Sequence, residues 1–139
     1  MITGLAHGCF DIFHFGHLNH LESARRLCDK LIVCITPDAY VNKGPKRPVF
    51  PAVQRARLVA ALRCVDEVFI GEGPDVAINA LTKIKPTRFF KGQEYEIGNH
   101  PAFERERKFC GAMGIEVWFT HEDVFSSTLA LQRLKEAAA

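Results

Sequence analysis

The sequence predicts an α/β fold, a Rossmann-like doubly wound parallel five-stranded sheet with helices on both faces. Three observations predict it. Apolar runs rich in β-branched and aromatic residues recur five times. Helix-like stretches separate them, and the runs are near-continuously apolar, as strands buried on both faces are. Strands that alternate with helices pair in parallel through right-handed crossovers. The 139 residues are expected to form one domain over 1–139: long enough for one sizeable core, with no repeat or polar linker to divide it.

Taken in order, the strands are expected at 2–9, 31–36, 67–71, 88–91 and 115–120. At about 100° per residue, Leu18, Leu21, Ala24, Leu27 and Cys28 share one half of the first helix, and Asn19, Glu22, Ser23, Arg26, Asp29 and Lys30 share the other. His17 falls inside the apolar arc, and at the first turn such a residue faces the strand ends, where open α/β sheets bind ligands. Pro37, Pro51, Gly73-Pro74, Pro86 and Pro101 mark the later boundaries. The connection 38–50 is longer than usual, and such loops are often functional.

Composition narrows the class. With 47% hydrophobic residues and 11 Phe the chain holds enough apolar surface to fold. A net charge of +2 gives no global field for nucleic acid or a membrane surface. Five scattered cysteines, an odd number, read as reduced thiols of a cytoplasmic protein. No basic leader or membrane-length apolar run is visible.

The chemistry concentrates in Gly8-Cys9-Phe10-Asp11-Ile12-Phe13-His14-Phe15-Gly16-His17, where a strand enters a helix. Backbone N–H groups and the dipole of a helix N-terminus bind phosphate, and Gly16 permits close approach. Two imidazoles on that turn can donate to one phosphoryl group. The residues alone leave two other readings open: a polar helix entry, and a metal site of Asp11, His14, His17 and His20. Lys43, Lys46 and Arg47 put cations on the long loop, which can close over a triphosphate. Arg55 opens the next helix, Arg63 and Asp66 are expected to pair near its end, and Lys91-Gly92 projects from the carboxyl edge of the sheet. Ser126-Ser127-Thr128 starts the last helix, where a hydroxyl caps free N–H groups.

In family order, these segments resemble the His-x-Gly-His nucleotidylyltransferase superfamily, particularly its small cytidylyltransferases and heptose-1-phosphate adenylyltransferases. The likeness runs through Gly8-x-Phe10-Asp11-x-x-His14-x-Gly16-His17, Pro37-Asp38, Lys43-Gly44-x-x-Arg47-Pro48, Arg55, Ala61-Leu62-x-x-Val65-Asp66-Glu67-Val68, Lys91-Gly92-x-Glu94-Tyr95 and Ser126-Ser127-Thr128, nearly the whole chain. It implies attack by a substrate phosphate oxygen on the α-phosphorus of a nucleoside triphosphate, with pyrophosphate leaving. It implies His14, His17, Lys43 and Lys46 as catalytic. Nucleotide contacts fall to Gly8, Cys9, Phe10, Asp11, Gly16, Asp38, Arg55, Lys91, Gly92, Ser126, Ser127 and Thr128. Mg²⁺ would be carried by the triphosphate, with no protein side chain as ligand, and a homodimer is implied. The glycerol-phosphate and choline-phosphate enzymes carry Arg-Thr-Glu-Gly where this chain has His121-Glu122-Asp123-Val124-Phe125. That change argues against those acceptors and moves an anion contact to Lys91 or His121. CTP is preferred as donor, because compact stand-alone chains of this kind are often cytidylyltransferases; ATP with a sugar phosphate, a non-catalytic nucleotide sensor and a metal-dependent hydrolase are the alternatives.

Overall fold

The computed structural model describes residues 1–121 and 127–138. Five strands, β1 (Thr3–Gly8), β2 (Lys30–Ile35), β3 (Glu67–Ile70), β4 (Arg88–Gly92) and β5 (Glu116–Thr120), form one parallel sheet in the order β3-β2-β1-β4-β5. Between them lie α1 (Phe15–Arg26), α2 (Ala52–Ala60), α3 (Val76–Ile84) and α4 (Pro101–Met113), and α5 (Ser127–Ala138) follows β5. The predicted fold class is the one found, with strand ends shifted by one residue at most.

Strand side chains alternate between faces, and the core divides accordingly. Ala6, Val33 and Phe90 pack with Leu21 and Ala24 of α1 and Val59 of α2 on one face. Their strand neighbours Leu5, Ile32 and Phe89 pack with Ala77 and Leu81 of α3 and Cys110 of α4 on the other. Both faces are therefore buried, which is why the strands read as continuous apolar runs. Gly4 belongs to this packing: a Cβ there would collide with the Phe90 ring.

Local sequence sets the helix entries. Pro51 is the N-cap of α2 and Pro101 occupies the first turn of α4, positions where a missing N–H and a fixed φ cost nothing. Gly114 ends α4 at φ 73, the left-handed conformation that glycine adopts without a Cβ penalty. The direction of winding reverses between β1 and β4, so a crevice opens beyond Gly8 and Gly92 at their carboxyl ends.

Candidate active site

The turn from β1 into α1 is strained. Phe10 and Ile12 sit at φ 52 and 51, a region that costs a bulky residue about 1–3 kcal/mol unless its surroundings impose it. The Phe10 ring folds back over the strand end, so a Cβ on Gly8 would lie 2.7 Å from it. Asp11, between the two strained residues, supplies the restraint: it accepts from Arg47 Nε at 2.8 Å, Val49 N–H at 2.8 Å and Phe50 N–H at 3.0 Å. Burial alone raises a carboxyl's pKa, but these donors hold Asp11 below its ordinary range.

His14 and His17 form a reciprocal cap. Gly16 N–H donates to His14 Nδ1 at 3.1 Å, and His14 N–H donates to His17 Nδ1 at 3.1 Å. Histidine here does what serine and glutamate do in the familiar capping box. The rings stack with centroids 3.9 Å apart, and Phe10 meets His17 edge-on at 5.4 Å. An Nδ1 that accepts carries no proton, so each neutral ring is the Nε2–H tautomer. Burial first, then His14, Lys43 and His20, pushes His17 down to about 3. Burial and Lys43 lower His14 as well. The pair is thus two neutral N–H donors beside a cationic loop.

A second set of charges holds that loop and its helix. Arg55, 3% exposed, donates from Nε to Phe50 O at 2.8 Å, from Nη1 to Cys9 O at 2.7 Å and from Nη2 to Asp38 Oδ1 at 2.7 Å. Asp38 also accepts from Ala52 N–H at 2.9 Å, at the start of α2. Asp11, Asp38 and Arg55, expected as nucleotide contacts, are bonded within the protein and are not among the residues that line the crevice. Their polar groups already have partners, so they position the turn and the loop.

The crevice is about 640 Å³. His17, Gly16, Cys9 and Phe10 form one wall, Lys43 overhangs it, and Lys91, Gly92, Tyr95 and Glu106 form the opposite wall. Lys91 Nζ lies 3.5 Å from Glu106 Oε1 and 4.1 Å from the centre of the Tyr95 ring. Both charges are nearly buried, and burial raises Glu106 while Lys91 opposes the rise. His7, at the end of β1, meets Thr36 Oγ1 at 3.1 Å; burial, then Lys91, drives it down to about 4.

The structure brings together Gly8, Cys9, Phe10, Gly16, His17, Lys43, Lys91 and Gly92 of the expected set along one crevice. His14 stands behind His17 as its stacking and capping partner. Lys46 is exposed at φ 63 and does not line the crevice. The Gly16 N–H, expected to meet an anion, is taken up by His14. Ser126 lies outside the described residues; Ser127 opens α5 and Thr128 is exposed in its first turn. His121 Nε2 faces Glu96 at 2.6 Å, not the crevice. Asp66 pairs with Arg25 at 3.1 Å in place of Arg63. Among the described residues no three His, Cys, Asp or Glu side chains cluster as metal ligands.

The crevice residues that escaped the sequence reading include His7, Tyr95 as a wall, and Glu106. The signal for Glu106 was present, because with Phe103 and Cys110 it lies on the one stripe of α4 that is buried. An acid at helical spacing on an apolar stripe marks a buried charge with a task.

Known proteins extend this geometry. A family model described as cytidylyltransferase-like matches residues 5–133. The chain is 39% identical to the bifunctional protein HldE of Gluconacetobacter diazotrophicus over 99% of its own length and 28% of the relative. It is 38% identical to that of Streptomyces coelicolor over 96% of its length and 28% of the relative. The chain therefore spans little more than a quarter of these relatives. Among solved structures, the lipopolysaccharide core biosynthesis protein of Thermoplasma volcanium superposes with TM-score 0.74 at 25% identity, covering 89% of this chain and 99% of that one. Pantothenate synthetase of Thermus thermophilus shares the fold alone, with TM-score 0.58 and 14% identity over 86% of this chain and 55% of that one.

Proposed function

The chain belongs to the cytidylyltransferase-like family, and from that premise we propose that it is a nucleotidyltransferase that joins the α-phosphate of ATP to a sugar phosphate and releases pyrophosphate. The observation that carries the reading is the reciprocal cap of His14 and His17, which fixes His17 as an Nε2–H donor in the wall of the crevice that Lys43 also lines. Transfer to phosphorus asks little covalent chemistry of a protein; positioning and neutralisation of charge carry the rate.

In this reading the acceptor's phosphate oxygen attacks the α-phosphorus, the bond to the β-phosphate oxygen breaks, and pyrophosphate takes the electron pair. His17 and Lys43 meet the departing charge, and His14 fixes the tautomer and tilt of His17. Burial lowers the histidines first and neighbouring positive charge adds to it; arriving phosphates oppose that second contribution, so nucleotide binding raises their proton affinity. Mg²⁺, bound through the phosphates, would neutralise the β- and γ-oxygens. The donors present fit an ion that arrives with its nucleotide, since the Asp11 carboxylate is filled by Arg47 and two N–H groups.

Similarity to the HldE proteins and to a lipopolysaccharide core biosynthesis protein favours ATP with a sugar phosphate, of the heptose 1-phosphate kind, over the expected CTP. The test is pyrophosphate release from each of the four triphosphates with a panel of sugar, polyol and choline phosphates. Fastest turnover with ATP and a sugar 1-phosphate supports the reading. A preference for CTP, or for a polyol or choline phosphate, contradicts it, and no turnover with any pair leaves a nucleotide sensor in its place.

A further inference from the structure

Glu106 is a buried acid in the crevice wall that the transfer chemistry does not use. Its side chain is 10% exposed and lies in the crevice wall on α4, opposite the histidines. Among the described residues its hydrogen-bond partner is Lys91 Nζ, at 3.5 Å, on Oε1. A carboxylate can accept about four hydrogen bonds, and buried ones are ordinarily filled. The buried Asp11 shows the contrast in the same molecule, with three donors within 3.0 Å. Glu106 thus keeps acceptor capacity at the edge of the crevice. Lys91, which holds it there, is itself packed over Tyr95 at 4.1 Å, and the Phe103 ring adjoins Tyr95 at 5.6 Å. A carboxylate with two oxygens and acceptor capacity left matches a ring that carries adjacent hydroxyls.

We propose that Glu106 is a specificity-determining residue whose carboxylate accepts hydrogen bonds from two neighbouring hydroxyls of a sugar ring bound between β4 and α4. The inference rests on the reading that the crevice holds sugar-linked phosphates. Both the ribose of the nucleotide and the ring of the acceptor offer that chemistry, and the experiment separates them. A site made to bond hydroxyls discriminates strongly against analogues that lack them, because its buried acceptor is left empty.

Calorimetric titration of the full chain with ATP, 2′-deoxy-ATP, 3′-deoxy-ATP, heptose 1-phosphate and mannose 1-phosphate, each repeated on Glu106→Gln, decides it without needing turnover. For the wild type, removal of the matched hydroxyl weakens binding by about tenfold or more, the size of one hydrogen bond to a charged group. In Glu106→Gln the parent ligand is weakened to a similar degree and the discrimination shrinks to about twofold or less, whereas a merely structural pair would lower thermal stability without changing the ratio. A changed ratio for the deoxy-ATPs assigns the ribose. Weakening by the substitution confined to the two sugar phosphates assigns the acceptor. Equal discrimination against the deoxy-ATPs by wild type and variant, together with sugar-phosphate binding unaltered by the substitution, overturns the proposal while leaving pyrophosphate release as the separate test of the transferase reading.

Discussion

Two clusters of charge lie near the same crevice and are built on opposite plans. In the clamp of Asp11, Arg47, Arg55 and Asp38, both aspartates and Arg55 take several short bonds within the chain, between 2.7 and 3.0 Å. Across the crevice, Lys91 and Glu106 share one contact at 3.5 Å. The difference teaches that a motif rich in charge does not mark ligand contacts by residue type. Filled groups hold the strained turn and the loop in place; the group with capacity left faces the opening.

That contrast can be broken from the clamp side, where the largest effect is expected. Asp11→Ala removes the carboxylate that Arg47 and the N–H groups of Val49 and Phe50 share, in a site where the Arg47 and Asp11 side chains are 6% and 0% exposed. Breaking a buried pair costs about 3–5 kcal/mol, so urea denaturation is expected to show that loss and turnover to fall with it. A variant as stable as the wild type would mean that Asp11 is not the anchor.

His17 lies between the two plans, since its Nδ1 is taken up in the cap while its ring lines the crevice. His17→Ala is expected to lower the rate by about 10²–10³-fold, as loss of a preorganised donor does. The cost in stability is about 1 kcal/mol, the size of a lost cap bond. Single-turnover kinetics beside a thermal melt read the two separately, and a normal rate in a folded variant would remove His17 from the chemistry. Lys43→Ala tests a group with no structural duty in the cap or clamp. It is expected to raise KM for the triphosphate about tenfold, the weight of one charge-assisted contact, with an unchanged melting temperature. An unaltered KM would place the loop cation outside the site.

The smallest effect is a matter of pH. His17 and His7 are lowered to about 3 and about 4 in the folded chain, from 6.5. The unfolded chain therefore binds more protons between those values, and stability is full above pH 6.5 and declines as pH falls through about 4 and then about 3. His7→Asn should flatten the decline around pH 4 to 6 in denaturation curves; an identical slope would mean that His7 titrates normally.

Much of this was legible before any coordinates. The five apolar runs gave the sheet, Pro51 and Pro101 gave two helix starts, and the arc of Leu18, Leu21 and Ala24 turned His17 toward the strand ends. The duties of Asp11, Asp38 and Arg55 were not legible, because each depends on partners 14 to 46 residues away, and periodicity carries no record of such pairings. His14 was read as a phosphate donor, and its part as a cap became visible only once the ring was seen to accept from Gly16. Glu106 left its trace on the buried stripe of α4, but the Lys91 that gives it meaning arrives from another strand.

In the proposed reaction the crevice directs a sugar phosphate's oxygen, and not water, onto the α-phosphorus. Phosphorus NMR of a reaction containing ATP, Mg²⁺ and heptose 1-phosphate tests it most directly. The account predicts paired doublets of a new sugar-linked diphosphate rising in equal amount with pyrophosphate. Inorganic phosphate accumulating with ADP, or pyrophosphate with AMP and no new diphosphate, would contradict it.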